Sequence, residues 1–409
     1  MRLLICLFIL TTSVRASERD SILNPKKFHL HGYGTMNYFA FDWQTDPQKR
    51  NAIDLERLSV YPSYDFNDRM RIETEIEIEH GGTGVTMEFD KFEEFGEFEG
   101  EIEKGGEVQL EQMNFVFQYK PFLNFRVGRF KLPFGLNSQF DEPSEYFSTT
   151  RSETESSIIP TNWYENGLQI FGTIGSVEKF GYTLSLVNGL DATGFSSSTW
   201  IVRGQQLRFE TVNAEDLALT GRLDYSWAPE CVVGLSAYYG NSVHNRPKPD
   251  LTVNGHVGIV ESHFTAEFEP WILRAMAVWG HLQHASEISE ANRNLSNNLN
   301  VKRSPVGSQA IGYYAEVGIE LFDLLHYVGG EHPGDSELIL FGRYDYYDTM
   351  YKTSGSIFNN PRWERTVYSG GIDYQPLKKY LVFKTQYSVR KLGINQNENT
   401  FSLGMGFEF

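Results

Sequence analysis

Cysteine is nearly missing from this chain: its 409 residues hold two, Cys6 and Cys231. Cys6 falls in an N-terminal leader, so the mature chain keeps one thiol and cannot form an intrachain disulfide. Long hydrophobic runs are missing too. No segment after the leader approaches the ~20 apolar residues a helix needs to cross a bilayer, and the mean hydropathy is mildly polar. This excludes a helical membrane protein but not a barrel, whose strands alternate and average out to polar. Positive charge is scarce: 36 Lys and Arg stand against 53 Asp and Glu, a net charge of -17. That balance argues against a nucleic-acid partner. No Gly-rich phosphate loop and no Cys/His metal spacing is present, so no metal and no cofactor is expected. There is no Pro/Ser-rich linker either, and the pattern does not change along the chain.

The leader itself, "MRLLICLFILTTSVRAS", has an early Arg2, an apolar run over Leu3–Leu10 and a small-residue site at Val14-x-Ala16. Residues 1–16 read as a signal peptide and 17–409 as one exported domain.

What the chain has in abundance is period-two patterning. In "RIETEIEIEH" (71–80), Glu73, Glu75, Glu77 and Glu79 share one face of a strand, and Ile72, Ile76 and Ile78 share the other. At the helical period the same glutamates would scatter around the cylinder. "LALTGRLDYSW" (217–227), "IGYYAEVGIELF" (311–322) and "FSLGMGFEF" (401–409) alternate in the same way, large apolar residues against small or charged ones. Strands are expected to start near Phe28, Ile53, Met70, Glu107, Phe125, Gly167, Phe180, Asp216, Cys231, His256, Trp271, Ala310, Leu338, Arg365, Tyr380 and Thr400, about 16 in all, an even number as bacterial outer-membrane barrels require.

Short turns ("DFND", "KPFLN", "GSVEK", "APE", "EP", "PLKK") alternate with long polar loops at 81–106, 133–163, 189–215, 240–255, 282–309 and 349–364. That asymmetry is the mark of an up-and-down transmembrane β-barrel, lipid outside and water inside. The connection 323–337 breaks the alternation. Tyr and Phe gather near strand ends, where amphipathic rings suit a membrane interface, and the chain ends in Phe409.

Three segments carry a family resemblance: "FHLHGYG" (28–34), "VGRFKLPFGL" (127–136) and "NWYENGLQIFG" (162–172), with "IEKGGEVQLEQ" (102–112) as a fourth. On these the chain resembles the phosphate-selective porin O/P-like family. The resemblance implies a 16-stranded barrel, a homotrimer, and a third long loop, about Pro133 to Trp163, that folds inward and narrows the pore. Phosphate-selective members line that pore with an arginine ladder and a lysine cluster. Here the loop instead carries Asp141, Glu142, Glu145, Glu153 and Glu155 against Arg151, with Lys131 at its start.

Alternation nominates the lumen. Acidic candidates are Glu73, Glu75, Glu77, Glu79, Asp224, Glu261, Glu267, Glu316 and Glu320; basic ones are Arg126, Arg222, Arg274, Arg343, Lys384 and Arg390. Rings of one sign would bias ion permeation, whereas pairing across strands would only brace the wall. The acidic run 87–104 could offer oxygen ligands to a divalent cation but lacks calcium-loop spacing, and a charge run is ordinarily solvated surface. His263, His281 and His284 have no serine motif beside them, so no enzyme is expected.

The sequence therefore reads as an outer-membrane porin of a Gram-negative bacterium, passing small hydrophilic solutes and ions by diffusion, weakly cation-biased or unselective. Its expected partners are outer-membrane lipid and lipopolysaccharide, two further copies of itself, and the barrel-assembly machinery acting on the last strand. The alternatives are an anion- or phosphate-selective porin and a closed barrel serving as adhesin or scaffold.

Overall fold

The computed structural model describes residues 27–409, apart from 83–85, 90–99, 104–106, 176–178, 207–210, 229, 294, 296–302, 328 and 330–333. The leader, and most of the acidic run 87–104 with Phe92, Phe95 and Phe98, lie outside the described residues. The strands are β1 Phe28–Trp43, β2 Ala52–Asn67, β3 Met70–Glu79, β4 Thr86–Phe89, β5 Gly100–Glu103, β6 Glu107–Lys120, β7 Leu123–Lys131, β8 Tyr164–Ile174 and β9 Phe180–Asn188. They continue as β10 Leu217–Ala228, β11 Cys231–Asn241, β12 His256–Phe268, β13 Trp271–Leu282, β14 Gln309–Glu320, β15 Glu337–Lys352, β16 Glu364–Leu377, β17 Leu381–Leu392 and β18 Gln396–Glu408. Among the described residues, three α-helices join them: α1 Glu153–Ile158, α2 Ala285–Arg293 and α3 Leu321–Tyr327.

Sixteen strands close into a single antiparallel up-and-down barrel, each bonded to its neighbours in the chain, with β1 sealing against β18. The remaining two, β4 and β5, form a hairpin inside the second long connection. The connection 81–106 thus holds paired strands where its charge run predicts only polar loop.

Alternation decides the faces. Along β10, Leu217, Leu219, Leu223, Tyr225 and Trp227 lie outside and exposed, while Ala218, Thr220 and Arg222 are buried inside. A belt of exposed apolar side chains of this extent around a closed sheet is a surface that water disfavours. Short turns occupy one end of the barrel and long connections the other, except that the connection at the long-loop end between β17 and β18 is only 393–395. The exception at 323–337 now has a physical account. β14 stops at Glu320 and α3 starts at once, with the Glu320 carboxylate accepting from the Asp323 and Leu338 amides. Those amides open a helix and a strand, where backbone donors fall short of ladder partners.

At the seam, Gly32 and Phe409 exchange backbone hydrogen bonds of 3.0 and 2.9 Å. A Cβ on Gly32 would lie 2.7 Å from the Phe409 ring, so the glycine makes room for the terminal aromatic side chain.

Candidate functional site

The site is the barrel interior, and the third loop (132–163) governs it. It leaves β7 through "LPFGL". Gly135 has φ +75°, and a Cβ there would stand 2.1 Å from Glu155 Oε1. Glycine at this point lets the loop fold back on its own helix, where Glu155 accepts from the Asn137 amide at 2.8 Å. Ser152 caps α1, accepting from the Glu155 amide at 3.4 Å and donating to Asp345 on β15 at 2.6 Å. Local capping and tertiary anchoring thus meet in one hydroxyl.

From there the loop is pinned to walls all around the lumen. Arg343 donates to the Ser148 hydroxyl (2.7 Å) and the Thr150 and Arg151 carbonyls (3.1 and 3.3 Å), and is itself held by Asp345 at 2.9 Å. Arg390 grips Glu153, which also accepts from Tyr347 at 2.8 Å. Lys384 donates to the Tyr146 carbonyl and lies 3.6 Å above its ring. Arg274 sits over the Phe140 and Phe147 rings at 4.1 and 4.6 Å and 3.7 Å from Glu316, which also meets Arg343 at 3.4 Å. Arg222 reaches the Gly135 carbonyl (2.8 Å) and Gln139 (2.9 Å) while holding Asp224. His263 completes that cluster, with Nδ1 2.8 Å from Glu261 and Nε2 2.9 Å from Asp224.

The acidic stripe of β3 turns inward as alternation requires. Glu75 is buried, accepting from Tyr61 (2.6 Å), Tyr164 (2.8 Å) and Gln112 (3.0 Å). Glu77 accepts from Ser59 at 2.6 Å and lies 3.6 Å from Arg57. Glu73 pairs with Arg126 at 3.3 Å, and Glu79 stands opposite Arg57 in the strand register. Across the lumen, Arg57, Lys131 and Arg151 converge on Asp141, Arg57 at 3.2 Å. Burial alone would raise the Asp141 carboxyl, but Arg151, Lys131 and Arg57 hold it well below the usual range. Burial pushes Glu142 up to about 7, helped by nearby Glu408. Glu145 turns back to accept from the Asp141 and Glu142 amides at 3.0 and 3.1 Å.

Two of the nominated residues sit apart from this constellation. Glu320 caps α3 at the turn-side rim, and Glu267 is exposed beside the turn that follows β12. Most of the rest face inward but lie buried under the loop, not open to water.

The fourth loop was expected to be polar and external, and the structure corrects this. Leu190, Phe195, Trp200 and Ile201 are fully or nearly fully buried, packed with Phe134, Leu136, Ile158 and Trp163 of the third loop and with inward Val257, Ile259, Met276 and Val278. Trp200 donates to the Gly307 carbonyl at 2.9 Å. The aromatic and branched residues of "TWIV" inside a Ser-rich stretch were the available signal. Arg57, Tyr61 and His31 were missed as well, although period two along β1 and β2 places them inward.

The packed loops leave a cavity of about 470 Å³ toward the turn end, against β1–β3 and bounded by Gln139, Asp141, Glu142 and Glu145.

No family model matches the chain. An uncharacterized protein of Aquifex aeolicus (strain VF5) is 27% identical over 355 residues, 86% of this chain and 73% of that one. Among solved structures, an anion-selective porin from Comamonas acidovorans aligns with a TM-score of 0.53 at 11% identity, covering 93% of this chain and 99% of that one. The outer membrane channel DcaP of Acinetobacter baumannii gives 0.52 at 11%, covering 93% and 97%. OmpF of Salmonella typhi, in complex with daunomycin, gives 0.52 at 11%, covering 95% and 99%. At such identities the likeness is one of fold: the chain has the sixteen-stranded barrel of outer-membrane porins.

Proposed function

We propose that this barrel is an outer-membrane porin of a Gram-negative bacterium, passing small hydrophilic solutes and ions by diffusion and without catalysis. The observation that carries the reading is the closed sheet with an apolar outer belt and a polar cavity lying against an inward-folded loop. Its ion bias is weakly cationic or absent. Inward Arg126, Arg222, Arg343 and Arg390 each meet a carboxylate within 3.3 Å, which leaves little free positive charge to draw anions. The phosphate-selective alternative draws its support from the family resemblance alone. The chain acts as a homotrimer set in lipid and lipopolysaccharide, its last strand read by the barrel-assembly machinery; one structure of similar fold, OmpT of Vibrio cholerae, is described as a trimer form.

Reversal potentials of the purified protein in a planar bilayer under a salt gradient test this. Cation preference or none is expected, and clear anion preference would overturn it. The apolar packing of the third and fourth loops favours a second reading, a closed barrel serving as scaffold or adhesin, which a complete lack of conductance would support.

A further inference from the structure

We propose that the turn-side cavity is a binding subsite for a neutral, hydroxyl-rich solute of sugar size, seated against His31 and Tyr61; the proposal rests on the channel reading above. The cavity holds about 470 Å³, within the ~300–1,000 Å³ usual for small-molecule sites. Its wall carries an aromatic plate. The His31 and Tyr61 rings are parallel within 7° and 4.5 Å apart. Tyr61 is fixed from behind by its hydrogen bond to buried Glu75, 2.6 Å. His31 keeps 55% of its side chain exposed, so the ring face turned away from Tyr61 meets water. A flat, weakly polar ring face on a rigid backing suits the apolar C–H face of a pyranose.

The rim supplies what the hydroxyls need. Glu73 and Glu142 offer acceptors, while Arg71 and the Gln139 amide offer donors, and a sugar hydroxyl both donates and accepts. The charge pattern weighs against an anion. Arg71 is already bound to Asp65 at 2.6 Å, and Lys131 to Asp141. A bare metal ion fits poorly too, since no three His, Cys, Asp or Glu among the described residues are arranged to hold one.

The full-length protein in a planar bilayer tests this with maltose as probe. Maltose is expected to block the open current in a saturable way. His31→Ala should weaken the block about tenfold, one stacking contact's worth, and His31→Phe, which keeps a ring, should restore it to within about twofold. Open channels that maltose never blocks, a block indifferent to His31→Ala, or block by inorganic phosphate alone would each overturn the subsite. A barrel that never conducts defeats the channel reading instead. Calorimetric titration of maltose into the detergent-solubilised protein then decides the subsite by itself: binding lost in His31→Ala supports it, and no binding overturns it.

Discussion

Arg390 and Glu153, 237 residues apart in the chain, meet inside the barrel through two parallel hydrogen bonds, Nε to Oε2 and Nη2 to Oε1, each 2.7 Å. The pair ties α1 of the third loop to β17. Planar guanidinium and carboxylate match in a way that lysine cannot copy. Replacing Arg390 by Ala leaves the partly buried Glu153 without its cation, a loss of about 1–3 kcal/mol for a charged hydrogen-bonded group left unpaired. The expected outcome is a lower denaturant midpoint and a larger, noisier single-channel current as the loop loosens. An unchanged current with an unchanged midpoint would remove this pair from the loop's anchoring.

Glu155 gives the loop a pH dependence. Burial raises its carboxyl from an ordinary 4.5 to about 8, only partly offset by the Asn137 amide. The folded state therefore keeps a proton that the unfolded chain releases. Its contribution is full below about pH 4.5, declines as pH rises and is gone above about pH 8. Thermal unfolding in detergent should show stability falling across that window, by at most about 1.4 kcal/mol per pH unit from this group. Glu155→Gln, which cannot ionise, should flatten the slope. A variant as pH-sensitive as the parent would assign the effect elsewhere.

Trp200 is fully buried between the fourth loop and β13, its ring filling the space above Gly280. Trp200→Ala should cost about 3–5 kcal/mol and open the mouth-side packing. Heat-unfolding midpoints and conductance check both effects together. A loss below about 1 kcal/mol would mean that this packing contributes little to the fold.

Leu219 and Thr220 are neighbours on opposite faces of β10, the first exposed outside and the second buried inside. An arginine at 219 would enter the apolar belt at a cost of about 2–4 kcal/mol if that belt meets lipid. Leu219→Arg should lower the yield of folded, heat-modifiable barrel in membranes. Normal insertion would argue that this face does not contact acyl chains.

The fold was largely legible because a strand shows its two faces in successive residues. Starts at Phe28, Met70, Glu107, Phe180, Cys231, His256 and Trp271 fall where alternation places them. The last strand begins at Gln396, ahead of the expected Thr400, because a connection of only 393–395 makes the polar "NQNENT" part of the hairpin. The interior was harder to read. Period two tells which side chains point inward, but not which of them a loop will cover. Arg343 and Arg274 lie on the expected face, yet their partners are carbonyls and rings of a loop nearly two hundred and more than one hundred residues away, respectively. Glu320 shows the limit: its parity is right, but the helix that claims its carboxylate breaks the alternation just where the pattern stops.

The joint between Gly32 and Phe409 sets the order in which this molecule can be made. Until β18 pairs, β1 and β17 would each present a row of unmatched amides and carbonyls, and in a membrane each such group costs several kcal/mol. A nascent sheet therefore gains nothing by entering lipid early. In a barrel that spans lipid, insertion and closure would have to come together, when β1 and β18 pair.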